Sequence, residues 1–537
     1  MNTQIQMLDC TLRDGCYIVN SQFGSAAIRG IISKLQEANV ELIECGWLKD
    51  QPHREGSAFY HVPSDLAQYL TVKDPRRTYL AMIDWDRYQL DALPPCDGKS
   101  IDAIRVVFPH GKVREGTEVG RKVGEKGYQV YFQAANTLAY TDEELIELAE
   151  AVNAANAVSL SVVDTFGAMY EEDLERIVRV LDRHLAKQIR LGFHSHNNMQ
   201  LSFALSIHFI KLLQESGRGV VVDASLCGMG RGAGNTTTEL LTSYLNRRCG
   251  CHYDLDAVLD AIDTYMEYFR EHFRWGYSPS YFVAGLNCCH VNNIAYLQEN
   301  HRTRSRDMHR IIESLTPEDR RKYDYDLLEQ KFLANQNRYV DDTAAVAQLR
   351  QALAGRSIVL IAPGRRSVTQ QEQVLDYIRA HDAAAIAVNA LLPGYRYDWA
   401  FFVNPARYEY AANANPEQFA ATPKILLSCI KHTPAEDELI ISYDHAVRRG
   451  WRCFDNAVIC CLRLMDLLGV ESVALAGFDG FKKHYNESYG DPYLPTRNPD
   501  GDWDRLNEDV LALFRSFRSG AVHCRTVSFL TESFFNQ

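Results

Sequence analysis

Short apolar runs rich in β-branched residues alternate with amphipathic helical patterns through the first 300 residues of the chain. Because strands inside a parallel sheet are buried on both faces, continuous apolar runs of this kind are typical of parallel strands. The helical pattern over 142–154 follows Thr141, a predicted N-cap with Glu144 three residues later. The predicted strands are 6–11, 41–46, 78–83, 103–108, 129–134, 158–164, 190–196 and 220–225.

Eight such strand-then-helix units predict an α/β fold in which the strands close into a parallel TIM (β/α)8 barrel. An open doubly wound sheet would show the same alternation, so the number of units is what favours the barrel. In barrels of this kind the chemistry lies at the carboxyl ends of the strands. Those ends are therefore where functional side chains are expected.

The remainder of the chain has a different pattern. Residues 301–350 are strongly charged and helical in pattern, which predicts a helical connector. Further apolar runs then predict a small doubly wound, Rossmann-like α/β domain without a GxGxxG motif, so NAD binding is not expected. Its predicted strands are 357–362, 384–388, 399–403, 424–428, 438–442 and 472–476. The predicted domains are thus 1–300, 301–350 and 351–537.

Composition narrows the range of partners. The 537 residues carry a formal net charge of −12, which argues against a nucleic acid partner. Apolar residues make up 46% without a long uninterrupted run, so no membrane span is expected. The first residues have no signal-peptide pattern, and the 14 cysteines lack paired CxxC spacing, which favours reduced thiols and a cytoplasmic protein.

Polar residues follow several predicted barrel strands. His194 and His196 are two apart on one strand, so both imidazoles point to one face. Asp14 follows the first strand, and Asn235 follows the last and offers an amide oxygen. Two histidines with one carboxylate and open positions suit Mn²⁺ or Mg²⁺, with Co²⁺ possible and Zn²⁺ less favoured. A pair of core or surface histidines is the alternative for the HxH pattern alone.

Three motifs carry a family resemblance. Residues 8–15 (LDCTLRDG), 194–197 (HSHN) and 228–235 (GMGRGAGN) together resemble the DRE-TIM metallolyase (HMGL-like) superfamily over roughly residues 1–300. The GxGRGAGN form is most similar to the 4-hydroxy-2-oxovalerate aldolase group. The stretch 276–282 also resembles the segment after the barrel that carries an active-site tyrosine in that group.

The resemblance implies a role for each matching residue. Asp14, His194 and His196 would bind the metal with Asn235 nearby, and Arg13 would stabilise an enolate. Tyr281 would stand beside the substrate, with Tyr277 as the alternative, and Thr165 would meet a substrate carboxylate. Three further strand residues are candidates for substrate binding: Glu44, Arg105 and Gln133.

One position departs from the family pattern. The aldolases place a proton-transferring histidine two residues after the RDG motif, where this chain has Tyr17. A phenol with its ordinary pKa near 10 is a poor base at neutral pH, so His110 and a metal-bound hydroxide are alternatives. Cys227 corresponds only by position to the catalytic cysteine of the CoA-thioester lyases.

These observations predict a metal-dependent aldehyde-lyase that cleaves or forms a 4-hydroxy-2-oxoacid through a pyruvate enolate. Its partners would be a small 2-oxoacid and an aldehyde, and a homo-oligomer is expected. An acyl-CoA-dependent condensing enzyme, a hydroxymethylglutaryl-CoA-lyase-like enzyme and a non-catalytic metal-binding scaffold are the alternatives.

The C-terminal domain loosely resembles Rossmann-like domains of glycan-associated, sialyltransferase-like proteins. A structural or oligomerising role and the binding of an anion or nucleotide sugar remain open for it.

Overall fold

The computed structural model describes residues 5–536 except 71, 302, 337–339, 432–434, 449, 452 and 497–502, and only the backbone of 485 and 486. The chain forms two compact units, one of Met1–Ala295 with Ile312–Asp324 and one of Tyr296–Ile311 with Tyr325–Gln537. The three-part division expected from the sequence, with a separate connector over 301–350, stays a prediction.

The first unit contains a closed parallel barrel. Its strands run in the order β1-β9-β8-β7-β6-β5-β4-β2, and pairing of β1 with β2 closes the ring; the short β3 adds to the outer side of β2. The strands are β1 (Ile5–Asp9), β2 (Leu42–Leu48), β3 (Phe59–Tyr60), β4 (Thr78–Asp84), β5 (Ala103–Phe108), β6 (Gln129–Ala134), β7 (Ser159–Asp164), β8 (Arg190–Ser195) and β9 (Val220–Ala224). The predicted TIM barrel is confirmed.

Helices surround the barrel, and their ends follow local sequence signals. Thr141 caps α5 as predicted: its hydroxyl accepts from the Glu144 N–H at 3.2 Å, and the Glu144 carboxylate accepts from the Thr141 N–H at 2.8 Å. The helices are α1 (Thr11–Asp14), α2 (Ser25–Glu37), α3 (Pro63–Ala67), α4 (Val113–Glu125), α5 (Asp142–Ala154), α6 (Glu171–His184), α7 (Ser202–Ser216), α8 (Thr238–Cys249), α9 (Leu255–Ala261), α10 (Glu267–His272) and α11 (Pro279–Leu286).

One barrel connection differs from the expected strand-helix alternation. Between β4 and β5 the chain forms only a single 3₁₀ turn, Leu90–Ala92, and no α-helix. Pro94 and Pro95 remove two backbone donors there, and Gly98 follows with φ of +70°, so a continuous helix cannot form.

The second unit is built on a seven-stranded, fully parallel sheet in the order β14-β13-β12-β11-β10-β15-β16. Its strands are β10 (Ile358–Ile361), β11 (Ala384–Val388), β12 (Trp399–Phe402), β13 (Lys424–Leu427), β14 (Glu438–Ile441), β15 (Ser472–Ala476) and β16 (Thr526–Phe529). The sequence pattern did not reveal β16, because this edge strand is only partly buried and has no continuous apolar run.

The later helices are α12 (Val291–His301), α13 (Ser305–Glu313), α14 (Pro317–Arg321), α15 (Tyr325–Gln336), α16 (Thr343–Leu353), α17 (Arg366–Thr369), α18 (Gln371–His381), α19 (Pro405–Ala414), α20 (Pro416–Ala421), α21 (Tyr443–Ala446), α22 (Ala457–Leu468), α23 (Tyr485–Ser488) and α24 (Trp503–Gly520). Within the described ranges, no helix combines the length and the apolar character that crossing a bilayer requires.

Candidate active site and metal centre

A cleft of about 770 Å³ opens at the carboxyl ends of the barrel strands. Side chains from both the strand ends and the loops that follow them line it, which is where TIM-barrel chemistry is expected. We call it the barrel cleft. Its polar lining includes Arg13, Asp14, Thr165, His194 and His196.

Three of the predicted metal ligands meet in this cleft. Asp14, His194 and His196 each present a ligand atom, and these atoms all lie within 4.8 Å of one another. Asp14 is carried by α1, directly after β1, and the two histidines lie at the end of β8. Burial opposes the charge of Asp14, but Arg13 and His196 outweigh it and hold the pKa of Asp14 well below its usual value.

The outer nitrogens of both histidines face acceptors. Nδ1 of His196 donates to the backbone oxygen of Asp164 at 3.2 Å, which leaves the Nε2 lone pair on the side of Asp14. Nδ1 of His194 lies 2.9 Å from the Asp223 carboxylate. Burial lowers the pKa of His194 although Asp223 opposes this, so the imidazole is neutral. Neutral imidazoles oriented by an outer acceptor are the usual form of metal-binding histidines.

The loop after β9 completes the site from above. Nδ2 of Asn235 donates to Oδ2 of Asp14 at 2.6 Å, while Oδ1 of Asn235 is buried without a hydrogen bond among the described residues. Gly230 allows this approach, because a Cβ there would lie 2.4 Å from Asn235 Nδ2 and 2.6 Å from Asp14 Oδ2. Gly230 is therefore needed for close packing against the Asp14 carboxylate.

These donor atoms fit a divalent cation. Nε2 of His196 and Oδ1 of Asn235 are buried and make no hydrogen bond in the described part of the chain. Leaving buried polar atoms unpaired costs free energy, which is offset when the atoms coordinate an ion. One carboxylate, two imidazoles and an amide oxygen form a mixed N/O set suited to Mn²⁺, Mg²⁺ or Co²⁺.

Arg13 is held rigidly beside the ligands. Its Nη1 donates to Asp14 at 2.7 Å and its Nε to Glu44 at 2.8 Å, while the buried Nη2 makes no hydrogen bond with any described residue. Glu44 is in turn held by Arg105, which also donates to Asp223 at 2.6 Å. Two carboxylates thus orient the guanidinium and leave one donor for a ligand.

Tyr17 lies at the mouth of the barrel cleft. The guanidinium carbon of Arg231 stands 3.8 Å from the centre of its ring, a cation–π contact. Although Tyr17 keeps 40% of its surface exposed, partial desolvation raises the pKa of its phenol to about 12, and Arg231 opposes only part of that rise. The phenol therefore keeps its proton at neutral pH.

Part of the barrel sequence matches the model of a known protein family. A family model described as HMGL-like matches residues 111–264. The match lies within the barrel. The superfamily resemblance expected from the three motifs is confirmed.

Two curated proteins and one solved structure illustrate the similarity. Oxaloacetate decarboxylase of Mycobacterium tuberculosis is 27% identical over 296 residues, which cover 54% of this chain and 84% of that protein. The 4-hydroxy-2-oxovalerate aldolase of Geobacillus genomosp. 3 is 26% identical over 270 residues, covering 48% and 76% respectively. The N-terminal domain of a candidate aldolase from Bacteroides vulgatus is 24% identical with a TM-score of 0.48, covering 58% of this chain and all of that one.

The remaining predicted site residues of the barrel differ in whether they line the barrel cleft. Thr165 lines the barrel cleft, and its hydroxyl oxygen accepts from the Asn136 N–H at 2.6 Å. Gln133 also lines it, and its amide faces Arg105, whose Nε can donate to the Gln133 oxygen at 2.9 Å when the amide oxygen is assigned to that side. Glu44 and Arg105 are buried in the ion-pair network and are not among the described lining residues.

Three other candidates lie outside the described lining of the barrel cleft. Tyr281 is on α11, where its backbone N–H donates to the Ser278 hydroxyl. His110 is 3.0 Å from Glu144 and packs edge-on against Tyr140. Cys227 borders a separate cavity, and burial raises the pKa of its thiol to about 12, so the thiolate is not available there.

Trp47 and His290 are among the cleft residues that sequence reasoning missed. Trp47 lines the cleft and donates from Nε1 to the backbone oxygen of Arg13 at 3.1 Å. His290 reaches the cleft from the segment before α12, with Nε2 3.4 Å from Nη1 of Arg231. Burial and Arg231 lower the pKa of His290 to about 3, so it is neutral. Trp47 lies near the carboxyl end of β2, which is a signal that could have found it, whereas no local pattern marked His290.

Proposed function

We propose that the barrel is a divalent-metal-dependent carbon–carbon lyase that acts on a small 2-oxoacid through a pyruvate-type enolate. The observation that supports this most directly is the convergence of Asp14, His194 and His196 within 4.8 Å at the floor of the barrel cleft. The chain is also similar to an oxaloacetate decarboxylase and to a 4-hydroxy-2-oxovalerate aldolase, and both names denote lyases of 2-oxoacids. This similarity supports a carbon–carbon lyase.

Asp14, His194 and His196 would hold the metal, with the Asn235 amide oxygen beside them. When bound, a divalent cation supplies Lewis acidity toward the 2-oxo and carboxylate oxygens of the substrate. The identity of the metal is proposed as Mn²⁺ or Mg²⁺ from the mixed N/O ligand set.

Arg13 would stabilise the oxyanion that develops when the carbon–carbon bond breaks. Its Nη2 is the one guanidinium nitrogen without a hydrogen bond among the described residues, and it is fixed by contacts to Asp14 and Glu44. A donor that is already oriented costs no reorganisation during the reaction, which is why such groups contribute strongly to catalysis. Thr165 can donate its hydroxyl hydrogen to the substrate carboxylate, because its oxygen accepts from Asn136.

A 4-hydroxy-2-oxoacid is the first proposed substrate, as in the aldolase relatives. Its cleavage requires a group that takes the proton of the C4 hydroxyl. Tyr17 keeps its own proton, and Nδ1 of His290 already accepts from the Asn292 N–H at 3.1 Å. The carboxylate of Asp84, which also lines the cleft, therefore joins His290 as a candidate for the acceptor. Tyr17 can then donate a proton to the enolate carbon.

A 3-carboxy-2-oxoacid such as oxaloacetate is the second proposed substrate. The pKa of Tyr17, about 12, and that of His290, about 3, are both poorly matched to general-base work at neutral pH. Decarboxylation needs no such base, because the bond electrons pass to the enolate as CO₂ departs. These two pKa values are the observation that supports decarboxylation as the second candidate, and an oxaloacetate decarboxylase is among the relatives.

Deuterium exchange tests the enolate step shared by both substrates. The full chain, loaded with Mn²⁺, is incubated with pyruvate in D₂O, and loss of the methyl proton signal is followed by NMR. We expect exchange, and we expect EDTA and the His196→Gln substitution each to abolish it. His208→Gln is the matched control, because His208 lies on α7 and pairs with Glu175, and this variant should keep the exchange. Metal binding without exchange would instead support the non-catalytic scaffold.

Product analysis then separates the two substrates. Oxaloacetate is assayed for CO₂ release above the background of free Mn²⁺, and 4-hydroxy-2-oxovalerate for aldehyde release. Release of aldehyde but not CO₂ identifies the aldolase, and the opposite result identifies the decarboxylase. If the protein consumes acetyl-CoA together with a 2-oxoacid, both proposed reactions are wrong and the protein is a condensing enzyme.

A further inference from the structure

The second unit contains a cavity of its own. It measures about 1410 Å³ and lies at the carboxyl ends of the parallel strands, where the segments after β10, β11, β12 and β15 meet. We call it the second-unit crevice. The strand order reverses at β10, with β11 to one side and β15 to the other. Ligands of open parallel sheets bind at such a reversal point.

Three buried polar atoms at the crevice make no hydrogen bond with the described residues: Nη1 of Arg407, Nδ1 of His301 and Oδ1 of Asp479. Arg407 is 7% exposed and the His301 side chain 6% exposed. Buried polar groups in folded proteins are nearly always paired, so this cluster indicates groups that a ligand satisfies.

Arg407 shows which charge the ligand carries. Its guanidinium packs over the Tyr489 ring at 4.8 Å, and no carboxylate of a described residue lies within ion-pair distance. Burial lowers the pKa of Arg407, and the side chains of Tyr489 and Asp491 oppose only part of that fall, so the charge is incompletely compensated. An arginine of this kind matches a phosphate or carboxylate, which can accept two N–H bonds side by side.

Three asparagines make the crevice rich in donors. Oδ1 of Asn389 accepts from the Val403 N–H, Oδ1 of Asn404 from the Ala406 N–H, and Oδ1 of Asn456 from the Val458 N–H. Because the backbone fixes each oxygen, the NH₂ group is the part of each amide that a ligand can use. Hydroxyl and carbonyl oxygens are the ligand groups that accept from such donors.

Asp479 packs against the loop that follows β10. Its Oδ2 accepts from the Arg366 N–H at 2.8 Å, at the start of α17. A Cβ on Gly364 would come within 2.7 Å of this carboxylate, so the loop after β10 is packed against it. The anionic group of the ligand is therefore expected at Arg407, and Asp479 is left to accept from a hydroxyl.

We infer that the second-unit crevice binds a small polyhydroxylated metabolite that carries one phosphate or carboxylate group, held by Arg407 and by the amide groups of Asn389, Asn404 and Asn456. The apolar side of the ligand would lie against Phe478 and Tyr489. This inference does not depend on the function proposed for the barrel.

Calorimetric titration of the full chain, freed of metal with EDTA, tests the inference. Ribose 5-phosphate and glucuronate are the two anionic probes, and ribose and glucose are their neutral controls. We expect at least one anionic probe to bind and its neutral control not to bind. The preferred probe distinguishes the phosphate from the carboxylate. Absence of binding by both acids, or equal binding by a neutral sugar, overturns the inference.

Substitutions of crevice residues test whether the anionic probe binds in the second-unit crevice. Arg407→Gln should weaken binding about 10-fold or more, because hydrogen bonds to charged groups are strong. It should leave the unfolding temperature unchanged or raise it, since a buried, incompletely compensated charge is removed, whereas a purely structural arginine would lower it. Arg463→Gln is the matched control, because Arg463 is also buried with an unpaired Nη1 but is not a described lining residue.

Two further variants keep the result interpretable. Asn404→Asp and Asn456→Asp retain an oxygen that caps the following helix but replace the NH₂ donor by a second acceptor. We expect both to weaken binding of the anionic probe about 10-fold without loss of thermal stability. Arg13→Gln in the barrel should bind the probe like the wild type. Binding that is lost in Arg13→Gln and kept in Arg407→Gln would place the anion in the barrel and refute the inference.

Discussion

In the barrel cleft, the unpaired buried atoms converge on one point, and most of them are acceptors. The unpaired buried atoms of the second-unit crevice are instead Nη1 of Arg407, Nδ1 of His301 and Oδ1 of Asp479, and they lie along a larger cavity that three asparagine side chains also line. Both cavities lie at the carboxyl ends of parallel strands. The comparison shows that the position at the carboxyl ends of parallel strands locates a site in both units. Which buried polar atoms lack a hydrogen-bond partner then indicates what each site binds.

The two cavities also differ in how arginine is used. Arg13 is neutralised by Asp14 and Glu44 and keeps one donor, so it can respond to charge that develops during a reaction. Arg407 has no such carboxylate among the described residues, so it favours a ligand that is anionic when it arrives. The first arrangement suits catalysis, and the second suits binding.

The largest effect is expected from Asp14→Asn. Removing the ligand carboxylate and leaving Arg13 underpaired should abolish both Mn²⁺ binding and pyruvate exchange, because a metal site that loses its only carboxylate loses its charge match. Metal content by mass spectrometry and exchange by NMR provide the measurement. Probe binding in the second-unit crevice should be unchanged. Retained metal with full exchange would contradict the ligand assignment.

Arg13→Ala should act on the chemistry more than on the metal. Loss of the oriented donor is expected to slow exchange about 100- to 1000-fold, the effect seen when an oxyanion donor is removed. The measurement is the exchange rate at saturating Mn²⁺ and pyruvate. Arg29→Ala, at a surface arginine on α2, is the control and should keep the wild-type rate. A purely structural role for Arg13 would instead show as lost metal or lost folding.

Gly230→Ala should weaken the metal site without removing a ligand. The added methyl group would clash with Asn235 and Asp14, so we expect about 10- to 100-fold weaker Mn²⁺ binding, as for other disturbances around metal ligands. Titration with Mn²⁺ gives the affinity. Gly124→Ala on α4 is the matched control, because a Cβ there meets only an ordinary contact at 3.6 Å. Equal affinities for the two variants would show that the loop can move aside.

Asp479→Asn should have the smallest effect, a pH-dependent change in stability. Burial raises the pKa of Asp479 to about 6, although the Arg366 N–H opposes it. The folded state therefore holds the proton more tightly than the unfolded chain, and the free energy of unfolding falls as pH rises from about 4 to 6. The variant should gain about 1–3 kcal/mol at pH 7 and nothing near pH 4.

Urea unfolding at the two pH values measures this change. Asp466→Asn is the control of opposite sign, because the backbone N–H groups of Cys524 and His523 outweigh burial and lower the pKa of Asp466. That variant should lose stability at pH 7. A gain for both variants, or a gain of Asp479→Asn at pH 4, would show that the stability change does not come from titration.

Most of the barrel could be predicted from sequence, and so could the centre of its site. The runs at 103–108 and 129–134 coincide with β5 and β6 because a strand buried on both faces has to be apolar throughout. The missing helix between β4 and β5 and the edge strand β16 were not predicted, because alternation alone does not register proline pairs or partly exposed edges. Asp14 and His196 were predictable because barrel topology brings strand ends together.

The sequence by itself determined where the strands lie and which residues end them, because these depend on local apolar patterns and on motifs read along the chain. Only the tertiary structure decided that Arg105 and Glu44 lie beneath the cleft as an ion-pair network, and that His290 enters it from beyond the barrel. The crevice formed by His301, Arg407 and Asp479 was decided in the same way. Whether a polar side chain is buried, and whether it finds a hydrogen-bond partner, depends on contacts between segments that are distant along the chain. No local sequence pattern encodes such contacts.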